Sequence, residues 1–213
     1  MTSLSDAFAG HLQHPRGGWG RLVGQLMRVV NAEPNDRAIR ALDVRNHDDV
    51  LELGFGPGEG VRALARLAPG GTIYGVDQSS TMLAQAEARN RAAVAAGRVR
   101  LSLGRFDATG LPDRSVDRIL AVNVAYFWSD PAAVLAELDR VLRPGGRISI
   151  YVTDAAAMAR WGFVGAGHHR IFDAAGLAEL LAAGPFPAEA VQVSSTRLRG
   201  GVPGLIGVIR KAG

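Results

Sequence analysis

Four glycines stand at alternate positions in V-L-E-L-G-F-G-P-G-E-G, residues 50–60, and an acid, Glu52, lies just upstream of the first of them. Glycine lets a backbone take positive φ and come close to a ligand, and a helix starting after such a turn offers unpaired N–H groups. A tight turn does not by itself need four glycines, so a ligand is expected against this one. It is not a dinucleotide pyrophosphate: in G-x-G-x-x-G the third glycine position would hold Glu59 counted from Gly54, or Val61 counted from Gly56. No G-K-[ST] follows, so a phosphate-cradling loop is excluded as well. Glycines at this spacing behind an acid suit a nucleoside that carries no phosphate. Asp77, 23 residues beyond Gly54, closes the run G-V-D. Its carboxylate can accept hydrogen bonds from both hydroxyls of a ribose.

Other chemistries are absent from the sequence. There are no cysteines, which removes disulfides, thiolate metal sites and thiol nucleophiles. Of five histidines only His168 and His169 are adjacent, and no H-E-x-x-H spacing occurs, so no metal is expected.

The elements that must carry the glycine turn follow from periodicity. Short apolar runs at 49–54, 72–77, 99–103, 116–123 and 147–152 read as strands, and amphipathic runs at 58–68, 80–96, 131–142 and 173–183 read as helices. Ser79 or Ser80 is the expected N-cap of the second helix and Asp173 of the fourth. Alternation of this kind means βαβ units and a parallel sheet covered on both faces. Residues 21–44 space apolar side chains at three and four, and Pro34 is expected to separate two helices there. At the other end, A-V-Q-V-S-S-T-R-L and G-V-P-G-L-I-G-V-I-R-K-A are separated only by Gly200 and Gly201. That leaves no room for a helix, so at least one terminal strand runs antiparallel.

A chain of 213 residues that is 47% apolar builds one sizeable core, and no repeat or linker argues for a second domain. No stretch of about eighteen uninterrupted apolar residues suggests a membrane span. The first twenty residues lack a basic region followed by an apolar one, so a cytoplasmic location is expected. The net charge of +4 is carried almost wholly by arginine, Lys211 being the sole lysine. The arginines are interleaved with acids, which reads as a solvated surface rather than a nucleic-acid stripe.

Four segments together resemble the class I S-adenosylmethionine-dependent methyltransferases, within the ubiquinone-biosynthesis-like small-molecule group. They are E-L-G-F-G-P-G (52–58), G-V-D-Q-S (75–79), R-F-D-A-T-G-L-P-D-R-S-V-D (105–117) and L-D-R-V-L-R-P-G-G-R (138–147). The amino-terminal P-R-G-G-W-G-R-L-V-G-Q-L-M-R-V-V-N is similar to small phosphatidylethanolamine-methyltransferase-like proteins. The resemblance implies an α/β, Rossmann-like seven-stranded sheet of order 3-2-1-4-5-7-6, strand seven antiparallel, with helices on both faces. It implies a single domain over 1–213, with 1–44 as a helical cap and 154–172 as a lid-like insertion. It also implies S-adenosylmethionine as cofactor. Gly54, Gly56 and Gly58 would pack against its methionine portion, Asp77 would bind the ribose, and Gln78 and Met82 would flank ribose and adenine. Asp107 would accept from the adenine amino group and Ala108 would offer its N–H. The Asn123 carbonyl and Glu52 would face the ammonium. The phrase R-V-L-R-P-G-G-R is structural punctuation, a helix stop and a turn.

Methyl transfer from a sulfonium is an in-line displacement, so the protein mainly positions donor and acceptor and excludes water. The acceptor pocket is expected beyond the carboxyl ends of strands 4 and 5. There Tyr126, Phe127 and Trp128 would sit at the mouth, Tyr126 as a catalytic group and Trp128 as a substrate contact. Trp161, His168 and His169 fall in the lid-like segment, where a histidine pair can serve as base. Trp19, Met27 and Asn31 would close the other side. The expected partner is a small-molecule acceptor methylated at nitrogen or oxygen, and a homodimer is left open. The rivals are an RNA or protein methyltransferase, and a protein that uses this fold to bind the cofactor without methyl transfer.

Overall fold

The computed structural model describes residues 31–160 and 170–213. Seven strands form one sheet: β1 (Val50–Leu53), β2 (Ile73–Asp77), β3 (Val99–Leu103), β4 (Val116–Val122), β5 (Leu142–Thr153), β6 (Val191–Arg197) and β7 (Pro203–Arg210). Their order is β3-β2-β1-β4-β5-β7-β6, as the resemblance implied. β1 to β5 are parallel, and β7 runs antiparallel to both β5 and β6. The tail is thus the hairpin expected from Gly200 and Gly201, both of which take φ +78° in its connection.

The central strands are buried on both faces, which explains why V-L-E-L and V-D-R-I-L-A-V show little polar alternation. On one face α1 (Ala32–Leu42), α2 (Glu59–Leu67), α3 (Ser80–Arg89) and the short α4 (Arg91–Ala95) cover Val50, Ile73 and Tyr151 with Ile39, Leu42, Leu64 and Met82. On the other, α5 (Pro131–Val141) and α7 (Ala174–Ala182) bring Leu135, Leu138, Leu177 and Leu181 against Leu51, Ile119 and Ile148. A short α6 (Ala155–Arg160) follows β5. No helix among the described residues is long and apolar enough to cross a membrane.

Local chemistry sets the boundaries. Ser79, not Ser80, caps α3 by accepting from the Met82 N–H, and Asp173 caps α7 by accepting from the Gly176 N–H. The helix expected over 80–96 is broken at Asn90, whose side-chain amide donates to the carbonyls of Ala86 and Gly58. Pro34 does not separate two helices: it lies in the first turn of α1, where a missing N–H leaves no intrahelical bond unmade. β5 begins five residues earlier than read, at Leu142, because Pro144, Gly145 and Gly146 form an irregularity in the strand and not a loop before it. Gly145 takes φ +75° there. That bulge is at the end of β5 far from the glycine turn.

Candidate functional site

The sheet order reverses between β1 and β4, and the carboxyl ends of β1, β2 and β4 open there into a cleft of about 780 Å³, its mouth included. This is where open α/β sheets bind ligands.

The glycine turn is the cleft's inner wall. Gly54, Gly56 and Gly58 have φ of +65°, +50° and +84°, so all three sit where an L side chain is strained. Their surroundings differ. A Cβ on Gly54 would lie 2.5 Å from Cγ2 of Val124, whereas one on Gly56 would have nothing within 4 Å and would project into open space. Gly56 is therefore the point at which backbone is bared to a ligand. Gly58 does not line the cleft: its missing Cβ would lie 2.8 Å from both the Ala86 Cβ and the Asn90 Nδ2. The expected contact of Gly58 with the methionine portion is thereby corrected, since its role is to let α2 and α3 approach.

Asp77 is 7% exposed, and its two carboxylate oxygens are used separately. Oδ2 accepts from the Gly56 N–H at 2.9 Å and Oδ1 from the Ser79 N–H at 2.8 Å. One carboxylate thus fixes the turn after β1 to the turn after β2. Glu52 pairs across the sheet with Gly75, two residues before Asp77, so both acids belong to the same face. Glu52 is 3% exposed and its Oε2 has no hydrogen-bond partner among the described residues. Burial first, and the Asp77 charge second, push its carboxyl up to about 8. It rests against Gly60, where any side chain would collide with Oε1. The third acid of the cleft, Glu59, is paired with Arg89 at 3.0 Å.

The outer lobe is formed by Gln78, Phe106, Asp107 and Phe127. Arg105 meets both oxygens of Asp107, at 2.8 Å through Nε, and this side-chain hydrogen bonding holds the Asp107 carboxyl below its ordinary range. An adenine amino group would have to share the acid with that guanidinium. Ala108 is exposed and lies outside the cleft, its backbone bridged to Arg105. Met82 and Gln78 line the inner cleft as read.

After β4, Asn123 adopts φ +53°, and its side chain is a polar node. Its Nδ2 donates to Asn31 Oδ1 at 2.8 Å, and its Oδ1 accepts from the Tyr126 hydroxyl at 3.0 Å and the Thr153 N–H at 3.2 Å. One expectation is corrected here. Tyr126 is buried, its hydroxyl also accepts from the Thr153 N–H, and burial raises its pKa far above the ordinary phenol range. It is a structural pin and not a base at neutral pH. Trp128 is 2% exposed and packs into the core, and the same side chain also lines the outer lobe. Trp19, Met27, Trp161, His168 and His169 lie outside the described residues.

Three aromatic or polar lining residues were not singled out from sequence: Phe55, Phe106 and Asn35. Phe106 stood inside the quoted R-F-D run, where only the acid drew attention. Asn35 carries no local signal, because only the return of α1 onto β4 and β5 brings it to the cleft.

A phosphate-free cleft, with a bared glycine and two acids on one face at the switch point of a 3-2-1-4-5-7-6 sheet, is the cofactor end of a class I methyltransferase. Comparison with known proteins agrees. A family described as "Methyltransferase domain" matches residues 51–150. The uncharacterized methyltransferase YdaC of Bacillus subtilis is 30% identical over 129 residues, which is 61% of this chain and 69% of YdaC. Nocamycin O-methyltransferase of Saccharothrix syringae is 35% identical over 115 residues, 54% of this chain and 41% of that protein. Among solved structures, a Haloferax volcanii methyltransferase complexed with the Trm112 activator superposes with a TM-score of 0.73 at 21% identity, each chain covered completely. The chain belongs to the class I S-adenosylmethionine-dependent methyltransferases. It spans only 31% to 41% of the length of several other curated relatives it matches.

The two glycine environments predict different defects. Gly58→Ala combines left-handed strain with a clash against α3, and about 3 kcal/mol of stability is expected to be lost. Gly56→Ala meets only the strain of about 1–2 kcal/mol but weakens ligand binding disproportionately. Urea unfolding and calorimetry on both variants check this. Glu52 predicts a pH effect. Its proton is kept in the folded chain up to about pH 8 but is lost from the unfolded chain in the ordinary carboxylate range. Its contribution is therefore full below that range and declines as pH rises to about 8. Relative to Glu52→Gln, the ligand-free wild type should lose melting temperature steadily between about pH 5 and 8, and parallel curves would contradict this.

Proposed function

We propose that this protein transfers a methyl group from S-adenosylmethionine to nitrogen or oxygen of a small-molecule acceptor. The observation that carries the donor assignment is the buried Glu52 carboxylate, its Oε2 without a hydrogen-bond partner among the described residues, lining the same cleft as a bared Gly56. An unpartnered buried acid and a glycine surface open to approach fit a ligand with an ammonium at one end. S-adenosylmethionine, when bound, supplies an electrophilic methyl on a sulfonium.

The chain's own groups hold and orient. Asp77, held by the Gly56 and Ser79 N–H groups at the carboxyl end of β2, is the acid placed to meet the ribose hydroxyls. Glu52 faces the ammonium. Met82, Phe106 and Gln78 supply the walls for the nucleoside, and Phe106 and Phe127 continue them into the outer lobe. Asn123 anchors the turn after β4 and so shapes the side from which an acceptor would approach. An amine that binds uncharged needs no base in the transition state, and with Tyr126 pinned, a hydroxyl acceptor would draw its base from elsewhere.

The small-molecule reading is supported by the likeness to nocamycin O-methyltransferase and by the absence of a lysine-rich stripe in the sequence. In it, 1–213 act as one domain in the cytoplasm.

Calorimetry with S-adenosylmethionine and S-adenosylhomocysteine tests the donor site, and mass-spectrometric detection of methylated amines, phenols and carboxylates tests the acceptor class. Asp77→Ala is expected to weaken binding of either nucleoside by about 1.5–3 kcal/mol, roughly ten- to a hundredfold. Unchanged affinity would remove Asp77 from the ribose site.

A further inference from the structure

Two carboxylates on one face of adjacent strands, both almost wholly out of solvent, cannot both be charged without a cation nearby. Asp77 has two backbone N–H donors, which favour its ionised form. Oε2 of Glu52 has none among the described residues. Of the pair, Glu52 is therefore the acid that keeps a proton in the ligand-free protein.

The other groups around it do not change that assignment. From β2 the charged neighbour is Asp77, and from the first turn of α2 it is Glu59, already paired with Arg89 of α3. Asn31 and Asn35 on the α1 side and Asn123 after β4 are neutral. The opening turn of α2 lies against the Glu52 carboxylate at Gly60 and its partial positive charge favours ionisation, but desolvation dominates.

We propose that Glu52 ionises only when a ligand brings a cation to it, so that binding the cofactor's ammonium releases one proton and makes Glu52 the residue that selects ligands carrying that group. This rests on the proposed donor site and goes beyond it. The balance is simple: the Glu52 O–H bond breaks heterolytically, its electron pair stays on the carboxylate facing the ammonium, and the proton passes to buffer. A neutral ligand end would leave the acid protonated and gain nothing from it.

The sign follows. In the free protein the carboxyl sits at about 8, and an adjacent ammonium lowers it. Affinity for an ammonium-bearing ligand therefore rises with pH up to about 8 and then levels off.

The test is titration calorimetry near pH 6.5 in two buffers of different ionisation enthalpy. S-adenosylhomocysteine should release about one proton per site, and its Kd should fall about tenfold per pH unit between roughly pH 6 and 7.5. The probe 5′-methylthioadenosine has the same nucleoside and no amino acid; it should bind with no proton release and a flat pH profile. With Glu52→Gln, S-adenosylhomocysteine should bind without proton release. Wild-type binding of S-adenosylhomocysteine with no proton exchange, or with proton uptake, overturns the inference. So does equal proton release with 5′-methylthioadenosine, a comparison that stands even if Glu52→Gln does not fold. Failure of both nucleosides to bind the folded wild type instead overturns the donor site, and the inference with it.

Discussion

The grip of the Asp77 carboxylate on two backbone N–H groups, one in each of the turns that follow β1 and β2, is the contact on which the cleft depends. Gly56 and Ser79 belong to different βα units, and the sheet's own hydrogen bonding ties only the base of the first turn to β2, through the Gly54 N–H and the Val76 carbonyl. A charge-assisted bond to each ties the turns themselves, at the cost of keeping a carboxylate almost entirely dehydrated. The same choice determines the state of the neighbouring acid, because a charged Asp77 makes a second charge on Glu52 more expensive. Turn geometry and ligand electrostatics are therefore set by one side chain.

Around that contact, close approach is used for two different ends. Gly58 removes a side chain so that α2 and α3 can meet, while Gly56 removes one so that something outside the chain can. Arg89 reinforces the first arrangement, since its guanidinium pairs with Glu59 and also donates to the carbonyl of Pro57. The turn is held from the helix side by Arg89 and Asn90 and from the strand side by Asp77, so its conformation exists before any ligand arrives.

The alternation of strands and helices and the terminal hairpin were legible because each depends on local pattern, short apolar runs and paired glycines, whereas the strand order was available only through the resemblance of four segments to a family. What was not legible depends on how separate elements meet. Nothing near Gly58 distinguishes it from Gly56; only the position of Ala86, 28 residues on, does so. Tyr126 reads as a mouth residue because aromatic side chains follow a strand end, yet the short 3₁₀ turn Ala125–Phe127 buries it, leaving Phe127 at the cleft and a largely buried Trp128 against the outer lobe. Pro34 read as a break because proline ends helices in their interior, and its tolerance in a first turn depends on where the helix begins. Asn90 reads as an ordinary helical position until its amide is seen to serve two carbonyls at once.

Asn31 stands at the N-cap position of α1 but makes no capping bond to its own helix; its side-chain oxygen accepts instead from Asn123, 92 residues away. The opening turn of α1 is thus tied to the tip of a central strand, while Glu33 in the same turn accepts from Arg37 and from the Arg199 N–H near the chain's end. One helix start therefore fastens together the middle of the sheet and its last hairpin.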